Sequence, residues 1–342
     1  MPSLDALSDP TKHQEPLVID GFDSGDLVSF LRTMLLIRKA EQQLAYGRQH
    51  GLIGGPVHLG AGQEAIAVGI SNHLISSDRV FGAHRSHSHL LALNPDPYPL
   101  FAEVLGKRTG YSKGMGGSMH LWDQRCGFYG SVPIVAGTVS LAVGAAMAAK
   151  FQSTNDVSVV YLGDGAAEEG VVHESLNLAR IQDAPVLFVV ENNLFASHMH
   201  ISLRQPSEAI SRFAEANDIP YQLLDGNDVV ALSNAAEDLV GKARNGGGPG
   251  MIEAVTYRWY GHVDWRDDID VGVHRSLSEV NNWKARDPVT RLSNTLKIAG
   301  HWSDKSEQQL NEELDHLIKN DWEKAMNDPY PDASVIMECV YA

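Results

Sequence analysis

The chain has 342 residues, 43% hydrophobic and 20% charged, enough for one large α/β domain or two smaller ones that bury roughly three quarters of the unfolded surface. A formal net charge of −16 argues against nucleic acid as a partner, since no basic surplus exists to neutralise phosphates. Cys126 and Cys339 are the two cysteines, so neither a disulfide framework nor a cysteine metal cluster is expected, and a reducing cytoplasm is the expected location.

Residues 1–16 are polar and contain proline, with neither a charged-then-apolar signal pattern nor an Arg/Ser-rich transit pattern. They are expected to form a flexible arm ahead of a single α/β domain over 17–342 that ends in a helical extension. Helical periodicity occupies 25–49, where Arg32, Arg38, Lys39 and Glu41 interrupt the apolar run and make it amphipathic rather than membrane-spanning. A glycine-rich loop, Gly51 to Gly62, precedes a helix from about Gln63 to Leu74, and Leu100 to Leu105 also reads as helical. Residues 107–137 are rich in glycine and lack periodicity, which predicts ordered loops near a site. Small residues crowd Ala136 to Ala149, as in a tightly packed interior helix.

Val157 to Leu162 is a β-branched and apolar run bounded by glycine, the pattern of a buried parallel strand. Glu168 to Gln182 has mostly helical spacing, and after Ala184-Pro185 a second buried strand runs from Val186 to Val190. A strand near Tyr221–Leu224, a helix at Val229–Arg244 and a strand at Gly250–Tyr257 follow. Ser303 to Met326 reads as an amphipathic surface helix with Leu310, Leu314, Leu317, Ile318 and Trp322 on one side, and Ser334 to Ala342 is apolar enough to dock, on a partner for example. The order of elements predicts an α/β fold, a mostly parallel sheet flanked by helices.

The chemistry concentrates at residues 163–193. Gly163-Asp164-Gly165 closes the first strand of a strand–helix–strand unit, and Glu191-Asn192-Asn193 closes the second. A right-handed crossover brings both strand ends to one edge of the sheet, where ligands of open α/β sheets bind. Asp164, the Asn193 amide oxygen and the main-chain carbonyl of Phe195 offer hard oxygen ligands suited to Mg2+, which keeps phosphate oxygens or water among its ligands. Either turn alone is commonplace. Together they favour a phosphate–metal site without identifying the ligand, and no Gly-x-Gly-x-x-Gly opens the helix as a nicotinamide-binding unit would require. Among fifteen histidines, those in Ala83-His84-Arg85-Ser86-His87-Ser88-His89 suggest zinc by composition, but adjacent cysteines or a helical His-x3-His are missing.

The stretch GDGAAEEGVVHESLNLARIQDAPVLFVVENN resembles the thiamine diphosphate fingerprint. More narrowly, the chain resembles the α subunits of the decarboxylating first component of 2-oxo acid dehydrogenase complexes, the pyruvate and acetoin dehydrogenase type. His58 to Gly69 (HLGAGQEAIAVG), Ala83 to His87 (AHRSH), Gly114 to His120 (GMGGSMH), Phe128 to Gly144 and Tyr257 to His262 (YRWYGH) supply further blocks in the family's order, between about residues 25 and 325.

The resemblance implies a thiamine diphosphate-binding fold, the half that holds the diphosphate, with thiamine diphosphate and Mg2+ as cofactors. It places Asp164, Asn193 and the Phe195 carbonyl on magnesium, and Gly165 and Ala166 on the diphosphate through main-chain atoms. It places Arg85 and His84 beside the diphosphate, although the family commonly has tyrosine where this chain has His84. His87 is implied near the reacting carbon, His58 in the substrate pocket, and His262 at both the diphosphate and the reacting centre. Pro133 and Val135 match main-chain groups that grip the aminopyrimidine, with proline where glycine is typical, and Leu178 matches a large apolar residue wedged between the cofactor rings.

After His262 the family's Ser-x-Ser-Asp is replaced by Val263-Asp264-Trp265-Arg266-Asp267-Asp268-Ile269-Asp270, so control by phosphorylation at that serine is not expected. The resemblance implies decarboxylation of a 2-oxo acid, pyruvate by default, with acyl transfer to the lipoyl group of an acyltransferase. Acetoin or branched-chain dehydrogenase, a carboligating enzyme subunit and a non-catalytic regulatory subunit are the alternatives. It further implies a β subunit that supplies the pyrimidine-activating glutamate in an α2β2 assembly.

Overall fold

The structure, a computed structural model, describes residues 2–338; Cys339 and the end of the apolar tail, 339–342, lie outside the described residues. In chain order, helices α1 (Ser24–Gln49) and α2 (Glu64–Ser71) precede strand β1 (Arg79–Gly82), then come α3 (His87–Leu93), α4 (Pro97–Val104) and β2 (Phe128–Ser131). Helix α5 (Val139–Phe151), β3 (Ser158–Gly163), α6 (Gly170–Ile181) and β4 (Val186–Asn192) form the central crossover region. A small hairpin, β5 (Phe195–Ala196) with β6 (Met199–His200), and a short α7 (Arg212–Glu215) lead to β7 (Tyr221–Asp225), α8 (Val229–Arg244) and β8 (Gly250–Val255). A second hairpin, β9 (Ile269–Asp270) with β10 (Val273–His274), precedes α9 (Leu277–Lys284), α10 (Pro288–Ile298), α11 (Asp304–Asn327) and α12 (Val335–Glu338).

The main sheet has the order β2-β1-β3-β4-β8-β7, and every neighbouring pair is parallel. Its strands alternate between two cores. Val159, Tyr161, Leu187 and Val189 face the layer built by α1, α2 and α8. Val160, Leu162, Phe188 and Val190 face α5 and α6. Both faces are covered, so the strands read as continuous apolar runs rather than alternating ones. Asp228 caps α8 by accepting from Val230 and Ala231 N–H, and Asp287 caps α10 ahead of Pro288, both standard helix starts.

The expected strands over 157–162, 186–190, 221–224 and 250–257 and the helices over 25–49, 168–182, 229–244 and 303–326 are present, with ends shifted by a few residues. Strands β1 and β2 escape sequence reading because each has four residues and β2 carries an internal glycine. In α11, Leu310, Leu314, Ile318 and Trp322 are buried, with Trp322 edge-on to Phe101 of α4 at 5.3 Å. Residues 2–16, expected as a free arm, lie along the domain: Leu4 is buried, and the Arg286 guanidinium donates to the Leu7 and Asp9 carbonyls at 2.9 and 3.1 Å. In the tail, Ile336 and Met337 of α12 stay exposed. Among the described residues, no helix is long and apolar enough to cross a membrane.

Candidate active site

Four adjacent strands aim their C-terminal ends at one place. Gly163 of β3 pairs with Glu191 of β4, and Asn192 of β4 pairs with Val255 of β8. The turn holding Asp164, the turn holding Asn193 and the segment running to His262 therefore start side by side. On the other side of β3, β1 ends at Gly82 and delivers His84 and Arg85. His58 arrives from the loop before α2. That loop turns tightly at Gly62, whose φ of +100° and closeness to the Tyr257 carbonyl (2.7 Å from any added Cβ) leave room for glycine alone.

Asp164 is fully buried, and burial raises its pKa against the pull of Arg204. The Arg204 guanidinium donates to both Asp164 and Glu168. Asn193 donates from Nδ2 to Gln63 Oε1 at 3.3 Å, while its Oδ1 accepts from the Phe195 N–H at 3.3 Å. The three expected metal ligands, all hard oxygens, thus lie in two turns that leave paired strand ends, with Arg204 as the present counter-charge of the buried Asp164 carboxylate. These residues fit a magnesium–diphosphate group. The hairpin β5–β6 closes over the turn: a Cβ on Gly165 would stand 2.6 Å from that of Ala196. Arg204, forty residues from Asp164, carried no sequence signal.

His58, His84 and His262 converge. Their ring centroids are 4.6, 5.0 and 5.2 Å apart. Burial first, and the Arg85 charge second, push the pKa of His58 and His262 down to about 2 and that of His84 to about 3, so all three are neutral at pH 7. Arg85 is held by carbonyls: Nη1 donates to Leu59 O at 2.5 Å and Nη2 to His262 O at 3.1 Å. Its own pKa falls to about 9, through burial and then Arg258, which leaves it charged at neutral pH. The cluster therefore offers one fixed positive charge and three neutral imidazoles.

His87 does not join the cluster. It is wholly buried, with Nδ1 3.2 Å from Glu41 and Nε2 2.8 Å from Ser118 Oγ, so it ties α1 to the 114–120 glycine loop from behind. That loop is itself organised by buried Glu103, which accepts from the N–H groups of Ser112, Gly114, Gly116 and Gly117. His89 stacks on Tyr161 and meets Glu191 at 3.1 Å. Leu178 also stays away: it lies eight residues into α6, roughly 12 Å from the helix start, and is 43% exposed. Gly165 and Ala166 form the turn after β3, with Ala166 buried. Pro133 and Val135 occupy the link between β2 and α5, with Val135 48% exposed, and Thr138 Oγ1 fastens that link to the Gly82 carbonyl at 3.0 Å.

The acidic 263–270 loop has local partners. Asp270 accepts from Arg258 Nη2 at 2.6 Å and from the His262 N–H at 2.7 Å, clamping the histidine in place. Asp264 pairs with Arg266 and Asp267 with Lys284.

Residues 32–334 match the family described as the dehydrogenase E1 component. The α subunit of acetoin:2,6-dichlorophenolindophenol oxidoreductase from Bacillus subtilis is 38% identical over 312 residues, 90% of this chain and 91% of the relative. The pyruvate dehydrogenase E1 component subunit alpha of Rhizobium meliloti is 36% identical over 314 residues, 92% and 89% of the two chains. The corresponding acetoin oxidoreductase subunit of Cupriavidus necator is 34% identical over 320 residues, 93% and 95%.

Proposed function

The chain belongs to the dehydrogenase E1 component family, and from that premise we propose that it is the α subunit of a thiamine diphosphate-dependent 2-oxo acid dehydrogenase. Pyruvate is the default substrate, and the acyl group passes to a lipoyl-bearing acyltransferase. The observation that supports the reading is that the turns holding Asp164 and Asn193 and the segments leading to Arg85 and His262 leave the C-terminal ends of the adjacent strands β1, β3, β4 and β8, with Arg85 bonded to the His262 carbonyl.

Bound thiamine diphosphate supplies the carbanion for attack on the keto carbon and the electron sink for loss of carbon dioxide. The chain's own residues bind and orient. Asp164, Asn193 and the Phe195 carbonyl would hold Mg2+, and main-chain groups of Gly165 and Ala166 would meet the diphosphate. Arg85, fixed by two carbonyls, contributes positive charge to it. His58, His84 and His262, neutral and poorly hydrated, are placed to hydrogen-bond the substrate and to move a proton at the ring nitrogens. Pro133 and Val135 are placed for main-chain contact with the pyrimidine. A β subunit supplies the glutamate that activates that ring, in an α2β2 complex that we place in the cytoplasm.

Acetoin is the second reading, because two of the relatives carry that activity in their names. Assaying the chain with and without a β subunit on pyruvate, branched-chain 2-oxo acids and acetoin separates the substrates, and scoring lipoyl-domain acylation beside carboligation separates the acceptors. Turnover by the chain alone would refute the shared-site reading.

Arg204 holds the charge that magnesium would neutralise. Arg204→Gln is expected to tighten Mg2+–thiamine diphosphate binding by about tenfold, the worth of one charge-assisted hydrogen bond, as measured by calorimetry on the full chain. Weaker binding would instead make Arg204 a contact of the diphosphate.

A further inference from the structure

The three imidazoles at the mouth of the site form a constellation that the proposed activity does not require as such. His58, His84 and His262 each offer one ring nitrogen, and the three nitrogens lie within 4.8 Å of one another. Among the described residues, no other group of histidines, cysteines and acids meets that test. His58 Nδ1 is buried with no hydrogen-bond partner, in a residue that is 7% exposed. An orphaned nitrogen of that kind lacks a ligand. The rings stand edge-on to one another, at interplanar angles of 67°, 81° and 61°, so their lone pairs can point inward without stacking.

We propose that His58, His84 and His262 bind a borderline divalent transition metal, Zn2+ foremost, in the cofactor-free chain, and that the ion competes with the diphosphate cofactor. Three histidines with one open position is a familiar zinc geometry, with Zn–N distances of about 2.0–2.1 Å. An ion at the centre of a triangle 4.8 Å on a side would stand about 2.8 Å from each nitrogen, so each imidazole must close by less than about 1 Å. Such a shift is within reach of side-chain torsions alone.

Charge is the main obstacle. Arg85 lies against His262, its Nη2 3.3 Å from Nδ1, and Arg258 is near. Glu41, Glu191 and Asp270 act on Arg85 in the opposite sense, and Asp270 pairs with Arg258 at 2.6 Å. These carboxylates act on the guanidinium groups rather than on the imidazoles, whose own charged neighbours are cationic, so the ion calls for an anionic fourth ligand. His84 is the residue that completes the triangle, and it stands where the family commonly has tyrosine.

The test uses the full chain, stripped of cofactor and metal, titrated calorimetrically with ZnCl2 and, in parallel, with CoCl2 as a spectroscopic probe. One ion per chain is expected, with the visible absorption of tetrahedral cobalt. Affinity is expected to fall at least about 100-fold in His84→Tyr and in His84→Phe, two variants so that misfolding of one does not decide the matter, and to persist in the surface control His316→Ala. Thiamine diphosphate with excess Mg2+ is expected to lower the apparent zinc affinity. Zinc uptake that is unchanged in both His84 variants, or absent below millimolar concentration, overturns the site. Uptake indifferent to the cofactor overturns the competition. If zinc binds as expected while thiamine diphosphate with Mg2+ binds neither to the chain nor to its complex with a β subunit, the functional reading fails and the metal site stands.

Discussion

Asp164→Asn is expected to weaken Mg2+–thiamine diphosphate binding by roughly 100- to 1,000-fold, the loss of one charged interaction of about 3–4 kcal/mol. Asparagine keeps an oxygen in place but removes the charge that makes a buried dication tolerable. Stability is expected to change far less, because Arg204 retains Glu168 as its partner. The contrast makes the result decisive: calorimetry should show lost cofactor binding in a chain whose denaturation midpoint has hardly moved. Equal affinity in the variant would remove Asp164 from the metal site and, with it, the main support for the proposed function.

The largest effect on stability is expected at Arg38, which braces the loop and helices that carry His58 and the segment leading to His262. Its guanidinium, buried between helices, donates to Glu64 at 2.6 and 2.9 Å and to Asp287 at 2.8 Å. It also stacks 3.7 Å over the Trp259 ring. Glu64 in turn accepts from the Gly62 N–H, so one cation ties α1, α2, α10 and the loop beyond β8 together. Arg38→Met leaves two carboxylates buried without a counter-charge and is expected to cost about 3–5 kcal/mol. The measurement is a denaturant midpoint that falls with the slope unchanged. Combining it with Glu64→Gln and Asp287→Asn should restore most of the loss, since the penalty lies in the uncompensated charges rather than in the missing contacts. A single-variant cost below about 1 kcal/mol would mean that water reaches these groups and that the network matters little.

Much of the scaffold was legible because burial on both faces leaves an unmistakable trace. The run from Ser158 to Leu162 and that from Val186 to Val190 contain almost nothing polar, and a short segment of that kind between polar turns reads as an interior strand. Strand β1 was not legible: four residues, Arg79 to Gly82, hold no period. Its place beside β3 follows from pairing rather than from its own composition. The same limit applied to the histidines of 83–89. Sequence presents His84, His87 and His89 as one cluster, yet one begins a loop and the other two sit on α3, whose turns send them to different neighbours. Leu178 shows the same limit, since a motif position does not reveal that its side chain lies well along α6 and is partly exposed.

The amino-acid order determined the strand–helix–strand unit, the acidic and amide turns that end its strands, and the family to which these belong, because local pattern and motif spacing are properties of contiguous chain. Only the tertiary structure decided that Arg204 neutralises Asp164, that Asp270 clamps His262, that His87 is held between Glu41 and Ser118, and that the rings of His58, His84 and His262 converge. Those pairings join residues between eight and about two hundred positions apart. Their partners are chosen by which strand ends meet at the sheet edge and by the cost of leaving a buried charge or polar atom unpaired, and neither quantity is written in any single stretch of the chain.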